Sequence, residues 1–190
     1  MARLNWKPGT LLYPTPVVLV TCGDFHNTAN IITVAWAGTV CSEPVMVAVA
    51  IRPERLSHDI IRDSKEFAIN LPCRKLARAV DFCGIKSGRD LDKFQATRLT
   101  REPARFIKAP LIAEAPLALE CKVHSVQKLG SHDLFIGRVL GIQVDEDLID
   151  NTGKLNLAKA DLITYVHGQY WTLKEAVGSF GYSVRKKKKR

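Results

Sequence analysis

Asn27-Thr28-Ala29-Asn30-Ile31-Ile32-Thr33-Val34-Ala35-Trp36 spaces amide, hydroxyl and indole groups along an otherwise apolar run. The β-branched content reads as a strand, and the asparagines read as a turn leading into it. The polar groups have two readings. Thr and Trp are good strand residues in their own right, yet an apolar edge with regularly placed donors also suits a flat heterocyclic ligand.

Outward from this stretch the pattern stays extended. Pro16-Val17-Val18-Leu19-Val20-Thr21 reads as a first strand before the turn Gly23-Asp24, and Ile31 to Val40 as a second extended segment. Val45 to Ile51 has no polar residue, as expected of a central strand buried on both faces or one packed at a subunit contact. Leu56 to Ser64 changes period, with Leu56, Ile60 and Ile61 on one helical face and Ser57 placed as a hydroxyl cap. Glu66 to Leu71 returns to strand alternation, Arg74 to Phe82 reads as a second helix, and Gly84 and Gly88 open a loop through Asp92-Lys93-Phe94. The proline-broken section from Pro103 to Pro116 carries Phe106, Ile107, Leu111 and Ile112 and is expected to wrap over the core. Leu117 to Lys128 and Leu134 to Asp145 flank a short turn and predict an antiparallel pair. Many strands with two inserted helices predict a mainly β fold, an antiparallel and partly opened barrel, over alternating βα units.

The chain has 190 residues, enough for one substantial core, and no linker interrupts it, so residues 1–184 read as a single domain. Lys and Arg exceed Asp and Glu by nine, but six of these charges fall in the tail 185–190, leaving an excess of three in the body. A basic terminal run without an even basic stripe argues against a nucleic-acid partner and reads as a solvated end. The apolar runs are too short to cross a bilayer and the amino terminus lacks signal-peptide character, which predicts a soluble cytoplasmic protein. Five cysteines, at 22, 41, 73, 83 and 121, form no CxxC pair and suit free thiols in a reducing compartment. Only Cys83, beside Gly84, has a setting that could expose a reactive thiol.

The common catalytic signatures are missing. There is no GxGxxG after a strand, no P-loop, no HExxH and no GxSxG, and the five histidines show no metal-ligand spacing. No residue is assigned as a catalytic group or metal ligand. What remains is NxxTVAW at Asn30 to Trp36, VMVAVAIRPERLSHDII at Val45 to Ile61, EFAINLP at Glu66 to Pro72, DKF at Asp92 to Phe94, LECKV at Leu119 to Val123 and GSHDLFIGRV at Gly130 to Val139. These six elements, in this order, resemble the flavin reductase-like family, in its flavoredoxin-type branch of FMN-binding split barrels.

The resemblance implies an antiparallel split β-barrel with inserted short helices, assembled as a homodimer with FMN near the subunit boundary. By position it implies flavin contacts from Asn30, Thr33, Val34, Ala35 and Trp36, phosphate donors at Arg52, Ser57 and Lys93, and further contacts from His132 and Tyr165. The chemistry of these groups agrees. Arg offers a fork of donors, Lys a point charge, and Ser57 stands where a helix amino terminus can add free amides. Trp36 also reads as a core filler, His132 as a turn histidine and Tyr165 as a core tyrosine. The implied activity is an FMN-dependent oxidoreductase, taking electrons from NADH, NADPH or a redox protein donor and passing them to flavin, ferric or protein acceptors. An FMN electron carrier without nicotinamide activity and a non-catalytic flavin-binding protein are the alternatives.

Overall fold

The computed structural model describes residues 1–185, so most of the basic tail lies outside the described residues. The strands are β1 (Thr15–Pro16), β2 (Val18–Gly23), β3 (Ala29–Val34), β4 (Ala37–Ser42), β5 (Val45–Ile51), β6 (Glu66–Leu71), β7 (Arg101–Glu102), β8 (Leu111–Ile112), β9 (Leu117–Lys128), β10 (Asp133–Val144), β11 (Ile163–Val166) and β12 (Gln169–Thr172). The helices are α1 (Leu56–Ser64), α2 (Ala77–Ile85) and α3 (Lys93–Thr97). Every pairing in the seven-stranded main sheet, ordered β3-β2-β6-β9-β10-β5-β4, is antiparallel.

That order closes the barrel. Strands β3 and β4 are joined through Ala35 and Trp36 yet occupy opposite edges of the sheet. Two residues cannot span a flat seven-stranded sheet, whose neighbouring strands lie about 4.8 Å apart, so the sheet must curl until its edges meet. The backbone N–H of Ala50 donates to the Trp36 carbonyl at this seam, at 2.9 Å. The expected single segment from Ile31 to Val40 is therefore two strands with the bend at Ala35-Trp36. The mainly β split barrel itself is as expected.

Side chains alternate across β2. Val18, Val20 and Cys22 face the barrel interior with Ile32, Val34, Val47, Val49, Phe67 and Phe135, where Ile61 of α1 joins them. Val17, Leu19 and Ile31 face a second core under α2, α3 and β11, with Val80, Cys83, Phe94 and Ile163. Burial on both faces explains why this strand has an unbroken apolar run. Val45 to Ile51 is not a central strand buried on both faces: β5 is second from the sheet edge and its first residue, Val45, is exposed, which leaves the subunit-contact reading.

The wrapping segment is pinned by buried polar groups. Asn70 Nδ2 donates to the Leu19 carbonyl and to Thr21 Oγ1, while its Oδ1 accepts from the Ile112 N–H; Thr21 Oγ1 donates to the Pro110 carbonyl. Farther along, the fully buried Glu120 accepts from the Phe106 N–H and from Gln143 Nε2. Satisfied in this way, buried amides and carboxylates hold one register of a loop whose prolines deny it a long strand. Strands β1, β11 and β12 form a separate three-stranded sheet, and from β11 and β12 the sequence reading named only Tyr165. No helix among the described residues is long and apolar enough to cross a membrane.

Candidate functional site

At the amino end of α1 several polar side chains meet below the surface. Ser57 is fully buried and does not cap the helix as its position suggested; Arg55 occupies the cap position without a side-chain bond, and Ser57 Oγ accepts from Asn30 Nδ2 at 2.9 Å. Asn30 is held from its other side by Gly88. A Cβ there would stand 2.1 Å from Asn30 Oδ1, so only glycine lets the chain pass this close.

Lys93 completes this pocket. It is the first residue of α3, where a loop was expected, because Asp92 caps that helix by accepting from the Phe94 and Gln95 N–H groups. The side chain is 3% exposed and donates to the Cys83 carbonyl at 2.8 Å. An ammonium has three donors, so Lys93 retains capacity for an acceptor beyond that carbonyl. Burial holds its pKa below the usual lysine value; the nearby Arg55 adds to that depression, and Cys83 and Cys22 oppose it. An anion placed here would relieve the penalty on the ammonium.

The thiols beside it are inert. Burial pushes Cys22 up to about 12 despite a hydrogen bond from Ser57 and the Lys93 charge, and pushes Cys83 up to about 11. Neither gives a useful thiolate at neutral pH, which removes the one cysteine the sequence left open as a nucleophile. No group of His, Cys, Asp and Glu among the described residues could hold a metal ion.

A second feature lies beside Trp36. Thr10, Leu12, Trp36, Ala50, Leu129, Ser131 and His132 line a cleft of about 340 Å³, within the range of small-molecule sites, roughly 300–1,000 Å³. The segment 52–57 connects it to the basic pocket: Arg52 lies close enough to His132 to disfavour its imidazolium, while Arg55 does the same to Lys93. Tyr165 reaches the region through Tyr13, whose ring centroid lies 5.9 Å from Tyr165 and 6.4 Å from Trp36. Thr33 turns toward α2, donating to the Val80 carbonyl, and Val34 points into the barrel core. A wider groove of about 560 Å³ between α2 and α3 is lined by none of the ten residues proposed from sequence.

The structure thus packs Asn30 on Ser57, with Lys93 close by on the far side of Cys22, and sets Trp36 and His132 on one cleft, with Arg52 near His132. Arg55 and Gly88 belong to the pocket but escaped the sequence reading. Arg55 stood within a quoted motif, whereas Gly88 has meaning only through its contact with Asn30.

His132 offers a direct check on this electrostatic layout. Burial first, and the Arg52 guanidinium second, hold it below 6.5, with Glu54 opposing. Its ring resonances are expected to titrate below 6.5, and Arg52→Gln to move the midpoint upward by removing a like charge; a downward move would contradict the arrangement. The depressed folded pKa means that acid favours the unfolded chain, so this histidine's contribution to stability is lost as the pH falls from about 6.5 through its folded value.

The chain is thus an antiparallel sheet curled into a split barrel, with buried Lys93 near the amino end of α1 and a cleft beside Trp36. The family model described as "Flavin reductase like domain" matches residues 10–174, and the chain belongs to that family. An uncharacterized protein of Pyrococcus abyssi (strain GE5 / Orsay) is 36% identical over 147 residues, covering 77% of this chain and 83% of the relative. The solved structure of flavoredoxin of Desulfovibrio vulgaris (Miyazaki F) matches with a TM-score of 0.90 and 31% identity over 97% of this chain and 100% of that one. Flavoredoxin from Methanosarcina acetivorans matches with a TM-score of 0.86 over 97% of this chain and 100% of that one, and at 24% identity shows likeness of fold.

Proposed function

We propose that this protein binds FMN and is an FMN-dependent oxidoreductase of flavin reductase and flavoredoxin type, moving electrons from NADH, NADPH or a protein donor to flavin, ferric or protein acceptors. The observation that carries this reading is the buried Lys93 ammonium beside Ser57 and Arg55 at the start of α1, next to an aromatic cleft. A dianionic phosphate fits that donor set, since a lysine, an arginine, a hydroxyl and the free amides of a helix amino terminus all favour negative charge. FMN, when bound, supplies the reversible redox chemistry.

The chain's own residues bind and tune. Lys93, Ser57 and Arg52 would hold the phosphate with Arg55 beside them, Trp36 and Tyr165 would flank the ring, and His132 would stand at the mouth of the cleft. Asn30, packed between Ser57 and Gly88, would fix the hydroxyl's orientation. We assign the whole of residues 1–184 to this one FMN-binding unit, with the basic tail outside it.

We further propose a cytoplasmic homodimer. Its five cysteines are all free, which supports a reducing compartment. Val40, Val45, Leu140 and Ile142 are exposed on the adjacent strands β4, β5 and β10, and Leu4, Trp6 and Leu12 are exposed on the amino-terminal segment that also lines the cleft. Apolar surface of this extent on neighbouring elements supports a partner copy, and an obligate contact would bury roughly 2,000 Å² or more.

The visible spectrum of the purified protein tests the reading. FMN absorption that bleaches without oxygen on addition of NADH or NADPH, at a sedimentation mass of two chains, is the expected result. Bound FMN that resists both nucleotides but is reduced by a redox protein would mark an electron carrier instead. Failure to take up FMN would reject the proposal.

A further inference from the structure

We propose that Asp133, His58, Asp59 and Arg89 form a positioning relay that locks the phosphate end of the flavin site to its ring end. The inference rests on the FMN reading above and adds residues that touch neither pocket directly. His58 Nε2 donates to Asp133 Oδ2 at 2.9 Å, and both residues are more than nine-tenths buried. The imidazole edge packs on Phe135, with ring centroids 5.1 Å apart at 78°. Its buried Nδ1 has no hydrogen-bond partner and faces Asp59 Oδ1 at 3.8 Å, too long for a hydrogen bond but close for a charge. Asp59 Oδ2 in turn accepts from Arg89 Nη2 at 2.9 Å, and its Oδ1 lies 3.1 Å from Arg62 Nη1.

Chain adjacency gives this row its meaning. His58 follows Ser57, Asp133 follows His132, and Arg89 follows Gly88, the residue packed on the Asn30 amide. Three segments distant in sequence, α1, the start of β10 and the loop before α3, are therefore tied together one residue behind Ser57 and His132, proposed to meet FMN, and Gly88, which backs Asn30. A buried hydrogen-bonded pair contributes little net stability compared with apolar packing, but removing one partner leaves the other unsatisfied, which is costly. Such a pair fixes geometry. Here the geometry is the separation between Ser57 and His132, so the phosphate, once seated, presents the ring at the correct place in the cleft.

The test compares FMN with riboflavin. His58→Phe keeps a ring against Phe135 and removes both nitrogens, while His58→Gln can restore a donor toward Asp133. In His58→Phe the preference for FMN over riboflavin is expected to fall about tenfold and the visible bands of bound flavin to shift; His58→Gln should recover the preference to within threefold. Arg89→Met should act in the same direction, and the double variant His58→Phe with Arg89→Met should be no worse than His58→Phe alone, because one chain has been cut twice. Strictly multiplicative losses would overturn the relay. So would an unchanged preference accompanied only by a lower apoprotein melting temperature, the mark of a purely structural pair. Should His58→Phe fail to fold, the isosteric Asp133→Asn carries the same comparison. A wild-type protein with no preference for FMN over riboflavin would overturn the FMN reading and the relay together, whereas a wild-type preference retained in the variants overturns the relay alone.

Discussion

Lys93→Ala lowers the affinity for FMN by roughly ten- to 150-fold and leaves riboflavin within about threefold, the range expected when a charge-assisted hydrogen bond worth about 1.5–3 kcal/mol is removed. The two ligands differ only by the phosphate, so the contrast isolates the donor from the ring cleft. Ser57→Ala is expected to act in the same direction, and it also deprives Asn30 Nδ2 of its acceptor. In the apoprotein, burial depresses the Lys93 pKa, so the ammonium is a liability to the folded chain until an anion arrives. Lys93→Ala also removes the bond to the Cys83 carbonyl, so the apoprotein melting temperature is read beside the titrations, and the FMN-to-riboflavin contrast carries the test. Equal losses for FMN and riboflavin would show that Lys93 does not face the phosphate, and calorimetric titration of both ligands decides it.

Phe67→Ala is expected to cost about 3–5 kcal/mol, the largest stability effect of any substitution considered for this chain. Phe67 is fully buried in the barrel interior, and its ring occupies the space left by Gly137: a Cβ on that glycine would stand 2.5 Å from Phe67 Cζ and 3.2 Å from Cys121 Cβ. Strand β10 shifts register against β9 at this point, between Ile136 and Gly137, which brings the glycine over the ring. Gly137→Ala alone should then cost about 1–3 kcal/mol by overpacking. In the Phe67→Ala background the added methyl enters a cavity, and its cost should fall near zero or reverse. Urea denaturation of the four proteins measures the coupling; additive losses would mean that the ring and the glycine do not share this space. At roughly 2–4 °C per kcal/mol for a chain of this size, Phe67→Ala should lower the melting temperature by about 6–20 °C.

The same Gly137 shows where sequence reading ends. Within GSHDLFIGRV it reads as one glycine in a strand, and nothing nearby in the chain announces Phe67, seventy residues earlier. Asn30 and Gly88 make a similar case. The asparagine was legible as a polar group on a strand, and the glycine as a loop opener, but their contact was not. Ser57 reads in the sequence as a helix cap and is not one, because a serine near a helix start has the same sequence signature whether it caps the helix or turns inward to meet a buried amide. Lys93 was legible through the DKF element, although its helix, only five residues long, is too short for periodicity to reveal.

What the sequence determined by itself are the features set by neighbouring residues. The β-branched runs of β2 and β5, the long pair β9 and β10, and the change of period at α1 follow from side-chain sterics and apolar spacing over a few positions, and the six ordered motifs added the family. The tertiary structure alone decided how those pieces close. The strand order that forces β3 and β4 to opposite edges, the burial that lowers the Lys93 pKa and silences Cys83, and the row from Asp133 to Arg89 all depend on groups tens of residues apart. Hydrophobic alternation says which face of a strand is buried, but it does not say which other face will meet it.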